Sequence, residues 1–99
     1  MTLEVTHNPA LARYEAHLDG VLAGFAEYSL GTDLIVFPHT EVKPAFEGHG
    51  VGSAIIGFAL DDVRANQPER EVLPLCPFVQ GWIQRHPDYA DLVYRGGKP

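Results

Sequence analysis

Ninety-nine residues, 45% of them hydrophobic, with no block of one charge sign and no repeated segment, are the material of one globular domain. Thirteen acidic against seven basic residues give a formal charge of −6, and the basic side chains are scattered, so nucleic acid is not an expected partner. No apolar run approaches the roughly 20 residues of a bilayer span, the start lacks a basic-then-apolar leader, and one cysteine forms no internal disulfide; a cytoplasmic location with no membrane partner is expected.

In chain order, Leu3-Glu4-Val5-Thr6 alternates apolar and polar and stops at His7-Asn8-Pro9, which predicts a short first strand. Leu11 to Leu18 and Val21 to Leu30 are two further strand-like runs. The Asp19-Gly20 between them is a pair that accepts the positive φ angles of a type I′ hairpin turn. After Gly31-Thr32, the continuous apolar run Leu34-Ile35-Val36-Phe37 predicts a central strand covered on both faces. Pro38 lacks an N–H for the ladder, so it marks a bulge, an edge or a separation of strands, and His39 to Val42 extend the chain beyond it.

From Val51 the period changes. Val51, Ala54, Ile55, Phe58, Ala59 and Val63 recur at helical spacing, and Asn66-Gln67-Pro68 ends the helix because a residue before proline is biased out of the α region. Glu71 to Leu75 is a short strand with Pro74 inside it. Pro77 then suits the first turn of a second helix carrying Phe78, Val79, Trp82, Ile83 and His86 on one face, and Pro87 stops it. Tyr89, Leu92, Val93 and Tyr94 supply apolar surface for docking, and residues 96–99 read as a frayed tail after a single domain over 1–95. The expected architecture is α/β of the α+β kind, mostly antiparallel, in the order β-β-β-β-α-β-α.

Glu47-Gly48-His49-Gly50-Val51-Gly52 falls between a strand and a helix. A glycine turn there presents unpaired N–H groups and the positive end of a helix dipole, which suits a pyrophosphate; it equally suits a tight turn with no ligand. No lysine follows Gly52, as a Walker loop requires, and the glycines do not follow the first strand of a βαβ series, as a dinucleotide site requires. The histidines and the single cysteine lack metal-ligand spacing, so no metal is expected.

Four segments together carry a resemblance: His39-Thr40-Glu41-Val42, Glu47 to Ser53, Pro74 to Val79, and Arg85-His86-Pro87-Asp88-Tyr89-Ala90-Asp91-Leu92-Val93. The chain resembles the small, single-domain GNAT-like N-acetyltransferases of about a hundred residues. The resemblance implies acetyl-coenzyme A as cofactor, held by Thr40, Val42, Lys43, Gly48, His49, Gly50, Val51, Gly52, Ser53, Cys76, Pro77 and Phe78. It also implies an amine acceptor: a protein lysine, an N-terminus or a small amine. The pantetheine arm is expected where the fourth and fifth strands splay apart, the two strands that hold Pro38 and Pro74. Glu47 stands where the wider superfamily carries Gln or Arg.

Cys76, just before Pro77, takes the cap position of the second helix, where the dipole lowers a thiol's pKa; it is a nucleophile or a small buried hydrophobe. His39 and Glu41, two apart on an extended segment, face the same way, toward the mouth of the expected cleft, and supply a base for an acceptor ammonium of pKa ~10.4. His39, with a reference pKa near ~6.5, is the better of the two, and Glu41 is otherwise a solvated charge. The reading that competes with an acetyltransferase, monomeric or weakly dimeric, is a non-catalytic acyl-coenzyme A binding or interaction module.

Overall fold

Pairing along the chain carries the five strands into one sheet in the order β1-β2-β3-β4-β5. A computed structural model describes residues 2–95, with β1 Leu3–Asn8, β2 Arg13–Leu18, β3 Val21–Leu30, β4 Leu34–Val42, α1 Val51–Asn66, β5 Glu71–Pro74 and α2 Pro77–Arg85. The first four strands pair antiparallel, and β5 joins β4 in parallel after the α1 crossover. No described helix is long and apolar enough to cross a membrane. The tail expected to fray over 96–99 lies outside the described residues.

Asp19 and Gly20, at φ 51° and 84°, make the predicted primed turn, closing the β2–β3 hairpin at Leu18↔Val21. The second strand starts later than its apolar residues suggest. Pro9–Leu11 forms a 3-10 turn capped by the Asn8 side chain, and Ala12 takes a left-handed conformation before Arg13 begins the ladder.

Helix α1 lies on one face of the sheet, burying Val51, Ile55, Ile56, Ala59, Leu60 and Val63 against Tyr14, Ala16, Ile35, Phe37 and Val72. Each large side chain taken fully from water in this layer contributes about 1.5–3 kcal/mol. The expected two-sided burial of β4 is not found. Ile35 and Phe37 are fully buried while Leu34 and Val36 are half-buried, and β3 is the middle strand, so the apolar run is covered on the α1 face only. After α2, a 3-10 segment at Pro87–Leu92 brings Tyr89 and Leu92 onto the core, and Val93 bridges Val72 at the β5 edge.

A polar network is embedded in this core. Tyr14, fully buried, donates its hydroxyl to Asp62 Oδ2 at 2.7 Å and stacks on the His7 ring at 4.5 Å. His7 Nε2 shares a 2.6 Å hydrogen bond with the Tyr28 hydroxyl, and Asn66 donates to the other Asp62 oxygen at 2.6 Å. Burial, then the Asp62 carboxylate, push the Tyr14 phenol far above its ordinary range, so it stays a donor at any physiological pH.

On the opposite face, Glu15 is only 8% exposed and accepts from Arg13 Nε at 2.7 Å and Asn8 Nδ2 at 3.1 Å. The Arg13 hydrogen bond, against the opposing effect of burial, holds this carboxyl below its ordinary pKa. A depressed folded-state pKa stabilises the protein above the unfolded value and loses that contribution as pH falls through the folded one. Glu15→Gln should therefore cost about 1–2 kcal/mol at neutral pH. Urea unfolding at a series of pH values should show the difference from wild type shrinking below the usual carboxylate range.

Candidate active site

Two prolines, one inside β4 and one at the end of β5, mark the candidate site. In β4, Glu27↔His39 and Ser29↔Val36 are successive pairings with β3, two steps on β3 against three on β4. The extra residue falls at Phe37-Pro38, where Pro38, having no N–H, leaves no ladder donor unpaired. Pairing of β4 with β5 runs from Leu34↔Glu71 to Phe37↔Pro74 and stops there, while β4 continues to Val42. A gap thus opens beyond the two prolines, with Thr40 to Val42 on one side and Cys76 and the start of α2 on the other. Cys76 closes the end next to the paired strands by donating its backbone N–H to the Phe37 carbonyl at 3.0 Å.

The bulge also decides which side chains meet. Across the ladder, Tyr14↔Ala26↔Thr40 and Ala16↔Gly24↔Val42 are rows on the α1 face, whereas Glu15↔Phe25↔Glu41 and Arg13↔Glu27↔His39 are rows on the opposite face. His39 and Glu41 do face the same way, with Nε2 and Oε1 3.4 Å apart and both about half-exposed. The imidazole meets the Phe25 ring edge-on at 6.2 Å, and Arg13 lies over that ring at 4.5 Å. Cys76 is on the other side: its thiol donates to Thr40 Oγ1 at 3.7 Å. The structure therefore joins Cys76 to Thr40 and His39 to Glu41 without bringing the two pairs into contact.

Cys76 occupies the N-cap of α2 and is 7% exposed. Burial pushes its thiol pKa up, but the backbone N–H of Val79, the Thr40 hydroxyl and the backbone N–H of Phe78 outweigh it, and the net shift is downward. Pro77 takes the first helical position, where its missing N–H costs no hydrogen bond.

The glycine turn leads into α1 through Gly50, at φ 73°, with no side-chain hydrogen bond capping the helix; Gly48 has φ 86°. Neither glycine is needed for space, since a Cβ at 48 or 50 would meet no atom within 4 Å; their positive φ is the requirement. Gly52 differs. A Cβ there would lie 2.8 Å from Cζ of Phe78, whose ring sits against the first turn of α1 and is 40% exposed.

A hollow of about 270 Å³ lies over this turn, lined by Val42, Phe46, Glu47, Gly48, Gly50 to Ser53, Phe78 and Arg85. Thr40, Glu41, Val42, Glu47 and Phe78 line a second one of about 420 Å³ beside it. Ser53 Oγ accepts from the Trp82 indole N–H at 2.9 Å, so its own O–H remains to donate. His49 and Lys43, expected among the residues that hold the coenzyme, do not line the first hollow, and Glu47 does. Trp82, 4% exposed and stacked on His86 at 3.8 Å, is a core residue as its helical spacing indicates.

Sequence reading passed over Arg85. Its signal was the spacing Phe78, Trp82, Arg85, which places all three on neighbouring turns of one helix face.

The arrangement offers uncapped helix N–H groups, an apolar ring and a serine hydroxyl beside a strand gap that ends at a cysteine of lowered pKa. It can hold a phosphorylated carrier with a thiol-reactive end. A family model for GCN5-related N-acetyl-transferase matches residues 13–92. The fold is similar to a GCN5-like protein of Staphylococcus aureus, with TM-score 0.69, 18% identity, and 93% of this chain and 88% of that one covered. It is similar also to ribosomal-protein-alanine N-acetyltransferase from Brucella melitensis biovar Abortus, with TM-score 0.55 and 19% identity. That likeness covers 88% of this chain and 64% of the other, so the chain spans less than two thirds of the second protein. No curated protein matches the sequence.

Proposed function

Given that the chain belongs to the GCN5-related N-acetyl-transferase family, we propose that it transfers an acetyl group from acetyl-coenzyme A to an amine, with Cys76 as the relay. The observation that carries this reading is the strand gap beyond Phe37↔Pro74, which has the uncapped turn of α1 at one end and the Cys76 thiol at the other. The residues fit the coenzyme: the Gly48–Gly52 turn would hold its pyrophosphate, and Phe78 and Val42 would flank its pantetheine arm.

In this reading the Cys76 thiolate attacks the acetyl carbonyl carbon. The carbon–sulfur bond to the coenzyme breaks, and the leaving thiolate takes up a proton from water. The amine then attacks acetyl-Cys76, the new carbon–sulfur bond breaks, and Cys76 returns as thiolate stabilised by Thr40 and the first turn of α2. The amine's proton leaves through water; His39, held 3.4 Å from Glu41 on the open face of the sheet and not in contact with Cys76, would take it up only from across the strand gap.

The test is intact-protein mass spectrometry after incubation with acetyl-coenzyme A alone, followed by addition of lysine peptides and small amines. One acetyl group on Cys76, lost when the acceptor is added, is the expected result. Free thiol release with no acetylated protein at any time would replace the relay by direct attack, and no release with any amine would favour a binding module.

A further inference from the structure

We propose that Arg85 is the coenzyme-selecting residue of this site, pairing its guanidinium with a phosphate of the bound coenzyme. The inference rests on the coenzyme A reading above and adds to it a residue outside the glycine turn.

Arg85 is the one cationic side chain among the described residues that line the hollow over the first turn of α1. It has no hydrogen bond or ion pair with any described residue. Three of the four other arginines differ: Arg13 holds Glu15 at 2.7 Å, Arg64 holds Asp91 at 2.9 Å, and Arg70 reaches Glu69 at 3.4 Å. In a chain of net charge −6, an arginine left without a carboxylate beside a helix N-terminus is placed for an anion that arrives from outside.

Two further features fit this role. A Cβ at residue 81 would lie 3.2 Å from Nη1 of Arg85, so Gly81 leaves room for the guanidinium to fold back along α2. Glu47, exposed in the wall of the same hollow, repels an anion, and backbone N–H groups alone do not cancel a full negative charge. A fork of N–H donors opposite does, and it bonds phosphate oxygens two at a time.

Calorimetry with coenzyme A and with dephospho-coenzyme A, on wild type, Arg85→Lys and Arg85→Gln, tests the proposal. Arg85 is exposed, so the variants should melt as wild type does. Arg85→Gln should bind coenzyme A about 10–100-fold more weakly, with a smaller salt dependence, and Arg85→Lys should fall between. A loss seen with coenzyme A only assigns the 3′-phosphate, and an equal loss with both ligands assigns the pyrophosphate. Arg85→Gln binding both ligands within twofold of wild type at every salt concentration overturns the proposal and leaves the acetyltransferase reading standing. Wild type that binds neither ligand removes the reading beneath it.

Discussion

Alanine at position 76 should lower acetyl transfer by at least about 10³-fold while coenzyme A still binds within a few-fold of wild type, because removing the proposed nucleophile would take away the chemical step and leave the binding surface. The coenzyme's phosphates are proposed to meet the Gly48–Gly52 turn and Arg85, not the thiol. Deleting one small sulfur from a side chain that is 7% exposed leaves a minor void. Steady-state assays of free thiol release, paired with calorimetry, separate the two effects. Transfer that persists at the wild-type rate in Cys76→Ala would mean that the amine attacks the thioester directly. His39→Ala would then be the variant that loses activity.

The second large effect is on stability. Gly24 pairs with Val42, and a Cβ there would lie 2.6 Å from the Glu41 carbonyl oxygen, 3.2 Å from the Val42 Cα and 3.4 Å from Cδ1 of Ile55. Two of those atoms are backbone and cannot swing aside. Gly24→Ala should therefore cost about 2–4 kcal/mol, near the upper end for overpacking, which for a domain of this size lowers the melting temperature by about 10–25 °C. Gly20→Ala is the control: nothing lies within 4 Å of its Cβ, and its cost is confined to the positive φ of the turn. Differential scanning calorimetry of the two variants should show a much larger drop at 24. Equal drops would mean that the strand, not the clash, sets the cost.

Local chemistry made most elements legible before the structure. Asp19-Gly20 announced its hairpin, the change of period at Val51 announced α1, and Pro68 and Pro87 each followed a helix end closely. The two prolines in β4 and β5 marked where pairing ends, because a missing N–H is a local property that a sequence displays. What the sequence withheld depends on pairing between strands. Counting residues along β4 puts Phe37 and His39 on one face; only the pairing with β3 shows that the Pro38 bulge inserts a step, turning Thr40 toward Cys76 and His39 away from it. Arg85 stayed hidden for a similar reason, since most of its neighbours in the hollow come from α1 and the loop before it.

The Tyr14–Asp62 hydrogen bond spans 48 residues and ties the first hairpin to the far half of α1. Before α1 docks, the phenol that becomes fully buried has only water as acceptor, and β1 to β3 hold an apolar face with no cover. A hairpin can form early by local contacts, but it gains its buried hydrogen bond only when the chain has closed that long loop, at an entropic cost that short-range contacts do not repay. Sheet and helix are thus committed together, and opening either one exposes the other, so the amides of β2 and α1 belong to the same cooperative unfolding unit.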